Sequence, residues 1–192
     1  MQALKNKKEE VALKINRAKA ALLVIDMQPK VLRLIPNHQE ILQNCQWLVG
    51  LCEDLDVVVR FSAHYQKGLG SISEELLVCA EQPVIVNKCY FSCVEEGGET
   101  AEVVGSQEQW ILCGIETHAC VMLTAMDLAL AGRQVFVVVD AVGSRSEVDR
   151  SVALSRLQQL GVILVTREMV LFELLRCAGT EDFKACSKKY LK

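Results

Sequence analysis

Six short apolar runs, each about the length of one strand, constrain this chain more than any other feature: Ala20–Asp26, Asp56–Ala63, Pro83–Lys88, Trp110–Cys113, Gln134–Ala141 and Gly161–Thr166. A strand with one wet face alternates apolar and polar residues. Runs that do not alternate belong to strands buried on both faces, and hence to a parallel sheet. Helical patterns fill the intervals. Asn37 stands where a helix to Asp54 begins, with Ile41, Leu42, Cys45, Leu48, Val49 and Cys52 on one face. Shorter helices are expected around Leu76–Cys79 and Glu99–Val104. Thr117 is placed to cap a long apolar segment to Gly132, Glu147–Leu160 is helical, and Thr166 and Thr180 cap the last two helices. Alternating β and α without repeats gives a parallel sheet with helices on both faces. In the common doubly wound strand order 3-2-1-4-5-6, strands one and four flank the crevice where ligands bind.

Composition narrows what such a domain does. The 192 residues are read as one domain, residues 1–192, with residues 1–18 as a peripheral arm without chemistry. A net charge of −3 gives no reason to expect nucleic acid or an anionic membrane. No run reaches the roughly 18 apolar residues of a membrane span, and the polar N-terminus resembles no leader, so the cytoplasm is expected. Nine cysteines, an odd number without a secretion signal, argue against a disulfide framework, and their spacing matches no structural zinc site.

Chemistry concentrates at strand ends. Gly114-Ile115-Glu116 joins the fourth strand to the apolar helix, placing Cys120 in that helix's first turn. Free N–H groups and the helix dipole favour thiolate there. Asp26 ends the first strand and Lys88 the third. Each has a plain structural reading: a core thiol, a turn aspartate ahead of Pro29, a lysine reaching solvent. In the strand order given above all three side chains converge on one crevice. Acid, cation and thiol then form a nucleophilic set in which Lys88 favours a thiolate below the roughly 8.5 of a free cysteine.

LLVIDMQ around Asp26, VNKCYFS around Lys88, GIETHACVMLTAMDLA around Cys120 and DAVGSRS after the fifth strand together resemble the isochorismatase-like cysteine hydrolase family, which includes nicotinamidases. The resemblance implies a Rossmann-like three-layer α/β/α sandwich with a six-stranded parallel sheet. It also implies an Asp-Lys-Cys triad at Asp26, Lys88 and Cys120, and a cis peptide between Ile115 and Glu116. The backbone N–H groups of Glu116 and Cys120 are then the implied oxyanion hole. Metal-using members carry Asp-x-His after the second strand; Ser62-Ala63-His64 stands here instead, and the loop HYQKGLG that begins at His64 resembles that of a metal-free branch, so neither a catalytic metal nor a cofactor is expected.

The resulting expectation is a cysteine-dependent hydrolase cleaving a C–N bond of a small, primary amide through a thioester. His64, Tyr65 and Phe91 are candidate pocket walls, His64 alternatively a loop-packing residue. The partners expected are a small-molecule substrate and further copies of this chain. Two rivals stand beside it. One is a non-catalytic scaffold or redox-responsive member of the fold; the other is ether or ester hydrolysis in the same pocket.

Overall fold

The computed structural model describes residues 13–191. Its sheet contains β1 (Ala20–Ile25), β2 (Val58–His64), β3 (Ile85–Lys88), β4 (Gln109–Ile115), β5 (Gln134–Gly143) and β6 (Ile163–Val165). All neighbours are parallel, in the order β3-β2-β1-β4-β5-β6. The central β1 is buried at all six positions, as its unalternating sequence requires. Its side chains divide between two cores by the two-residue period of a strand. Leu22 and Val24 join one, and Ala21, Leu23 and Ile25 join the other.

The first core is closed by α2 (His38–Asp54), α4 (Glu74–Leu77), α8 (Arg167–Leu175) and α9 (Glu181–Tyr190), through Leu48, Leu76, Leu171 and Cys186 among others. The second is closed by α5 (Gly98–Gly105), α6 (Met122–Leu130) and α7 (Glu147–Gln159), through Val104, Ala125 and Leu157. The result is a three-layer α/β/α sandwich. Each fully buried Leu, Ile or Val contributes about 1.5–3 kcal/mol, so a one-residue slip of β1, which exchanges its two faces, would cost far more than any local propensity returns. Thr166 and Thr180 cap α8 and α9 as expected, accepting from Met169 N and Phe183 N.

The structure departs from the sequence reading in several places. The second strand starts at Val58, after Asp56 has taken a left-handed turn, and runs to His64. Two short helices, α1 (Pro29–Leu32) and α3 (Gln66–Leu69), occupy stretches to which the sequence reading assigned no helix. Asn37 begins α2 in a left-handed conformation without a side-chain cap. Of the N-terminal arm, Leu4 and Val11 lie outside the described residues, whereas Ile15 is fully buried in the first core.

Candidate active site

Strand register fixes the neighbourhood of the site. Ile25 pairs with Ser62 on one side and with Gly114 on the other, and His64 pairs with Lys88. The ends of four adjacent strands therefore open on one crevice. Asp26, just past β1, leaves the strand at a φ of +52°, a conformation uncommon for a residue with a Cβ. Its carboxylate accepts from Lys88 Nζ at 2.6 Å on Oδ2 and from Ser62 Oγ at 2.7 Å on Oδ1. Lys88, whose side chain is fully buried, also donates to the carbonyl of Phe91 at 3.0 Å. Burial is the largest single influence and works against its charge, but the Asp26 carboxylate together with the Cys120 and Cys93 sulfurs raises Lys88 above its ordinary value.

Cys120 reaches the same crevice from beyond β4. The chain there enters a single π-helical turn, Thr117–Val121, before α6 begins. The expected cap at Thr117 is not formed: Glu116 takes the cap position, and the Thr117 hydroxyl is buried without a partner among the described residues. The Ile115–Glu116 peptide bond is cis. Gly114 at a φ of +110° lets β4 pass β1 closely, because a Cβ there would collide with the Ile25 carbonyl oxygen. Ligand atoms of Asp26, His64 and Cys120 all lie within 4.8 Å of one another, so these three side chains could hold a cation.

Electrostatics correct one expectation. Burial, then the Asp26 carboxylate, push the Cys120 thiol well above its ordinary value, and Lys88 offsets them only in part. The resting Cys120 side chain is a thiol, not the thiolate that a helix terminus and an ammonium neighbour suggest. His64 is shifted down, by burial first and by the Lys88 charge second, and is neutral at physiological pH.

The cavity over Cys120 encloses about 260 Å³. Val31, Leu34, Leu69, Ile115 and Ala119 supply an apolar wall, and Phe91 stacks on the His64 ring at 5.3 Å between centroids. His64 and Phe91 both line it. Tyr65 does not: at a φ of +40° its ring lies against Gly68, away from the lining. His118, two residues before Cys120, faces Ser144 Oγ at 3.0 Å.

Three contributors escaped the sequence reading. Ser62 orients Asp26. Gln28 is fully buried, donating to the carbonyls of His64 and Gly70 and accepting from His64 N–H, so it ties the exits of β1 and β2 together. Arg145 pairs with Glu116 at 2.9 Å on the cavity rim and holds that carboxyl below its ordinary value despite burial. Ser62 is revealed only by strand pairing, whereas Gln28 closes the LLVIDMQ stretch. Arg145 lies inside the DAVGSRS stretch, the one signal that could have marked it.

A doubly wound sheet with a buried acid, ammonium and thiol at its switch point defines a recognised class. The isochorismatase domain matches residues 20–169, and the chain belongs to the isochorismatase family. Within it, isochorismatase domain-containing protein 2 of Danio rerio is 39% identical over 170 residues, spanning 88% of this chain and 85% of that protein. Protein 2A of Mus musculus is 37% identical over 167 residues, 87% and 80% of the two chains. Among solved structures, a MAR1 ribonuclease from Caenorhabditis elegans superposes with a TM-score of 0.87 at 34% identity, covering 93% of each chain. The YcaC gene product of Escherichia coli, an octameric hydrolase of unknown specificity, superposes at 0.80 with 25% identity, covering 85% and 83%.

Proposed function

We propose that the protein is a cysteine-dependent hydrolase of small primary amides, acting through a thioester on Cys120. The observation that carries this reading is that the Asp26 carboxylate, held from behind by the buried Lys88, and the Cys120 thiol line one small, largely apolar cavity. Because the resting sulfur is protonated, attack is coupled to proton transfer. As the Cys120 S–C bond forms, Asp26 takes the thiol proton and the carbonyl electrons pass to oxygen. The backbone N–H groups of Glu116 and Cys120 receive that oxyanion. Collapse breaks the C–N bond, and Asp26 returns its proton to the leaving nitrogen, releasing ammonia and the thioester. Asp26 then deprotonates a water molecule that attacks the thioester, and the carboxylic acid departs as the thiol is restored. Lys88 and Ser62 hold the carboxylate in register throughout. No cofactor or metal enters these steps.

Ether hydrolysis leaves the thiol without a role. A redox-responsive scaffold would need an accessible, acidic thiol, whereas Cys120 is 6% exposed and shifted the other way. The C. elegans relative bears the name of a ribonuclease. RNA requires a cationic groove, yet this rim offers Arg145 already paired with Glu116, on a chain of net charge −3. Assembly of several copies belongs to the same reading: Leu130 at the end of α6 is 86% exposed, and the E. coli relative is octameric.

The test is an ammonia-release screen across small primary amides, with Cys120→Ser as blank and an RNA oligonucleotide as a further substrate. Turnover of an amide that survives exhaustive chelation, with an acyl adduct on the Cys120 peptide after acid quench, is expected. RNA cleavage without any amide turnover, or activity retained by Cys120→Ser, would sink the reading.

A further inference from the structure

We propose that Asp26, His64 and Cys120 form a site for a zinc-type divalent cation which, when filled, reversibly blocks the cleft. The donors come from three separate elements: the residue past β1, the last residue of β2 and the π turn after β4. Their ligand atoms already lie within 4.8 Å of one another. Tetrahedral zinc with bonds of about 2.0–2.3 Å sets its ligand atoms roughly 3.3–3.8 Å apart, so the three need to close by about an ångström.

Two further observations point the same way. His64 Nδ1 is buried and has no hydrogen-bond partner among the described residues, an arrangement that costs free energy unless something takes its lone pair or its proton. The ring is not free to swing away from the site, because it stacks on Phe91 with the planes 25° apart. Thiol, imidazole and carboxylate together are a borderline-soft donor set, suited to zinc and not to magnesium or calcium, which require oxygen ligands. Lys88 opposes a second cation, but the metal brings a thiolate into being: the Zn–S bond forms as the thiol proton leaves to solvent, so Asp26 and Cys120 contribute two negative charges. Ser62 Oγ, now donating to Asp26 Oδ1, leaves that oxygen a further lone pair for the metal. Water completes the shell.

Such an ion takes up the nucleophile and the general base together, which makes it a brake and the opposite of a cofactor. The geometry stands whether or not the substrate is an amide.

The experiment uses the full chain with the exposed Cys89 and Cys177 replaced by serine. Cobalt(II) alone is titrated first, followed by zinc in competition with a chromophoric chelator. One cobalt per chain is expected, giving a thiolate-to-metal charge-transfer band in the near ultraviolet and the visible bands of four-coordinate cobalt, all erased by zinc. Cys120→Ser should lose the charge-transfer band. His64→Asn should weaken zinc by at least the roughly tenfold that even a lost outer partner costs. Absence of the band in the Cys89/Cys177 background overturns the proposal without any further variant. Its persistence in Cys120→Ser, or unchanged zinc affinity in His64→Asn, does so too. Amide turnover without metal binding would refute this site alone, and metal binding without turnover would refute only the amidase reading.

Discussion

At Cys120 two influences of opposite sign meet, and magnitude decides between them. Lys88 and a helical N-terminus favour the thiolate, while burial and the Asp26 carboxylate favour the thiol and prevail. Iodoacetamide at pH 7 should therefore label the exposed Cys89 and Cys177 well before Cys120. Asp26→Asn removes one of the two upward influences and should speed labelling of Cys120, as peptide mapping of the native protein would show. Fastest labelling of Cys120 in the unaltered chain would overturn this account. The sequence exposed the identity of these groups but not their balance, since desolvation depends on what encloses a side chain. Ser62 shows the same limit. In the sequence it marks a missing carboxylate ligand; across the β1–β2 register it is a hydrogen-bond donor to Asp26.

Among the elements, β4 and the π turn following it are where local reading and structure part most. Glycine in a strand pattern reads as a stop, so the fourth strand was ended at Cys113. It runs on to Ile115, with a register shift against β5 between Leu112 and Gly114. What justifies the glycine is a backbone in another part of the chain, the Ile25 carbonyl, which no local pattern contains. Gly114→Ala combines a left-handed conformation with a collision and should cost roughly 2–5 kcal/mol. A urea melt would reveal this as a lowered midpoint; a midpoint equal to wild type would mean that β1 and β4 do not approach as described. The π turn left no trace in the sequence, because one additional residue per turn has no composition of its own. By contrast α8 and α9 were legible at their starts, where Thr166 and Thr180 do what threonine does at a helix N-terminus.

For the molecule as a whole, the parallel sheet was legible because unalternating runs need cover on both faces, whereas the order β3-β2-β1-β4-β5-β6 is the common doubly wound one and is not contained in the runs themselves. Pocket orientation was less so: Tyr65, one residue from His64, turns outward through a backbone conformation that its sequence does not announce. Stability against pH is a property at this scale. The His64 imidazole has its proton affinity lowered from an ordinary 6.5 by burial and by Lys88. The unfolded chain thus binds that proton more tightly, and stability present above about pH 6.5 is lost as pH falls through the folded value. Thermal melts from pH 7.5 downward should show a falling midpoint below 6.5, and His64→Asn should flatten the upper part of that fall. A pH-independent midpoint across this window, or an unchanged slope in His64→Asn, would contradict the burial assigned to the ring.

The convergence of four neighbouring strand ends on one crevice also has a temporal meaning. The acid emerges from synthesis first, its lysine partner 62 residues later, and the sulfur only after β4 and the turn beyond it. A nascent chain released before residue 120 carries the acid and the lysine but not the sulfur on which the proposed mechanism depends. The proposed chemistry therefore waits on the third of its three groups, and a product that ends ahead of Cys120 lacks it.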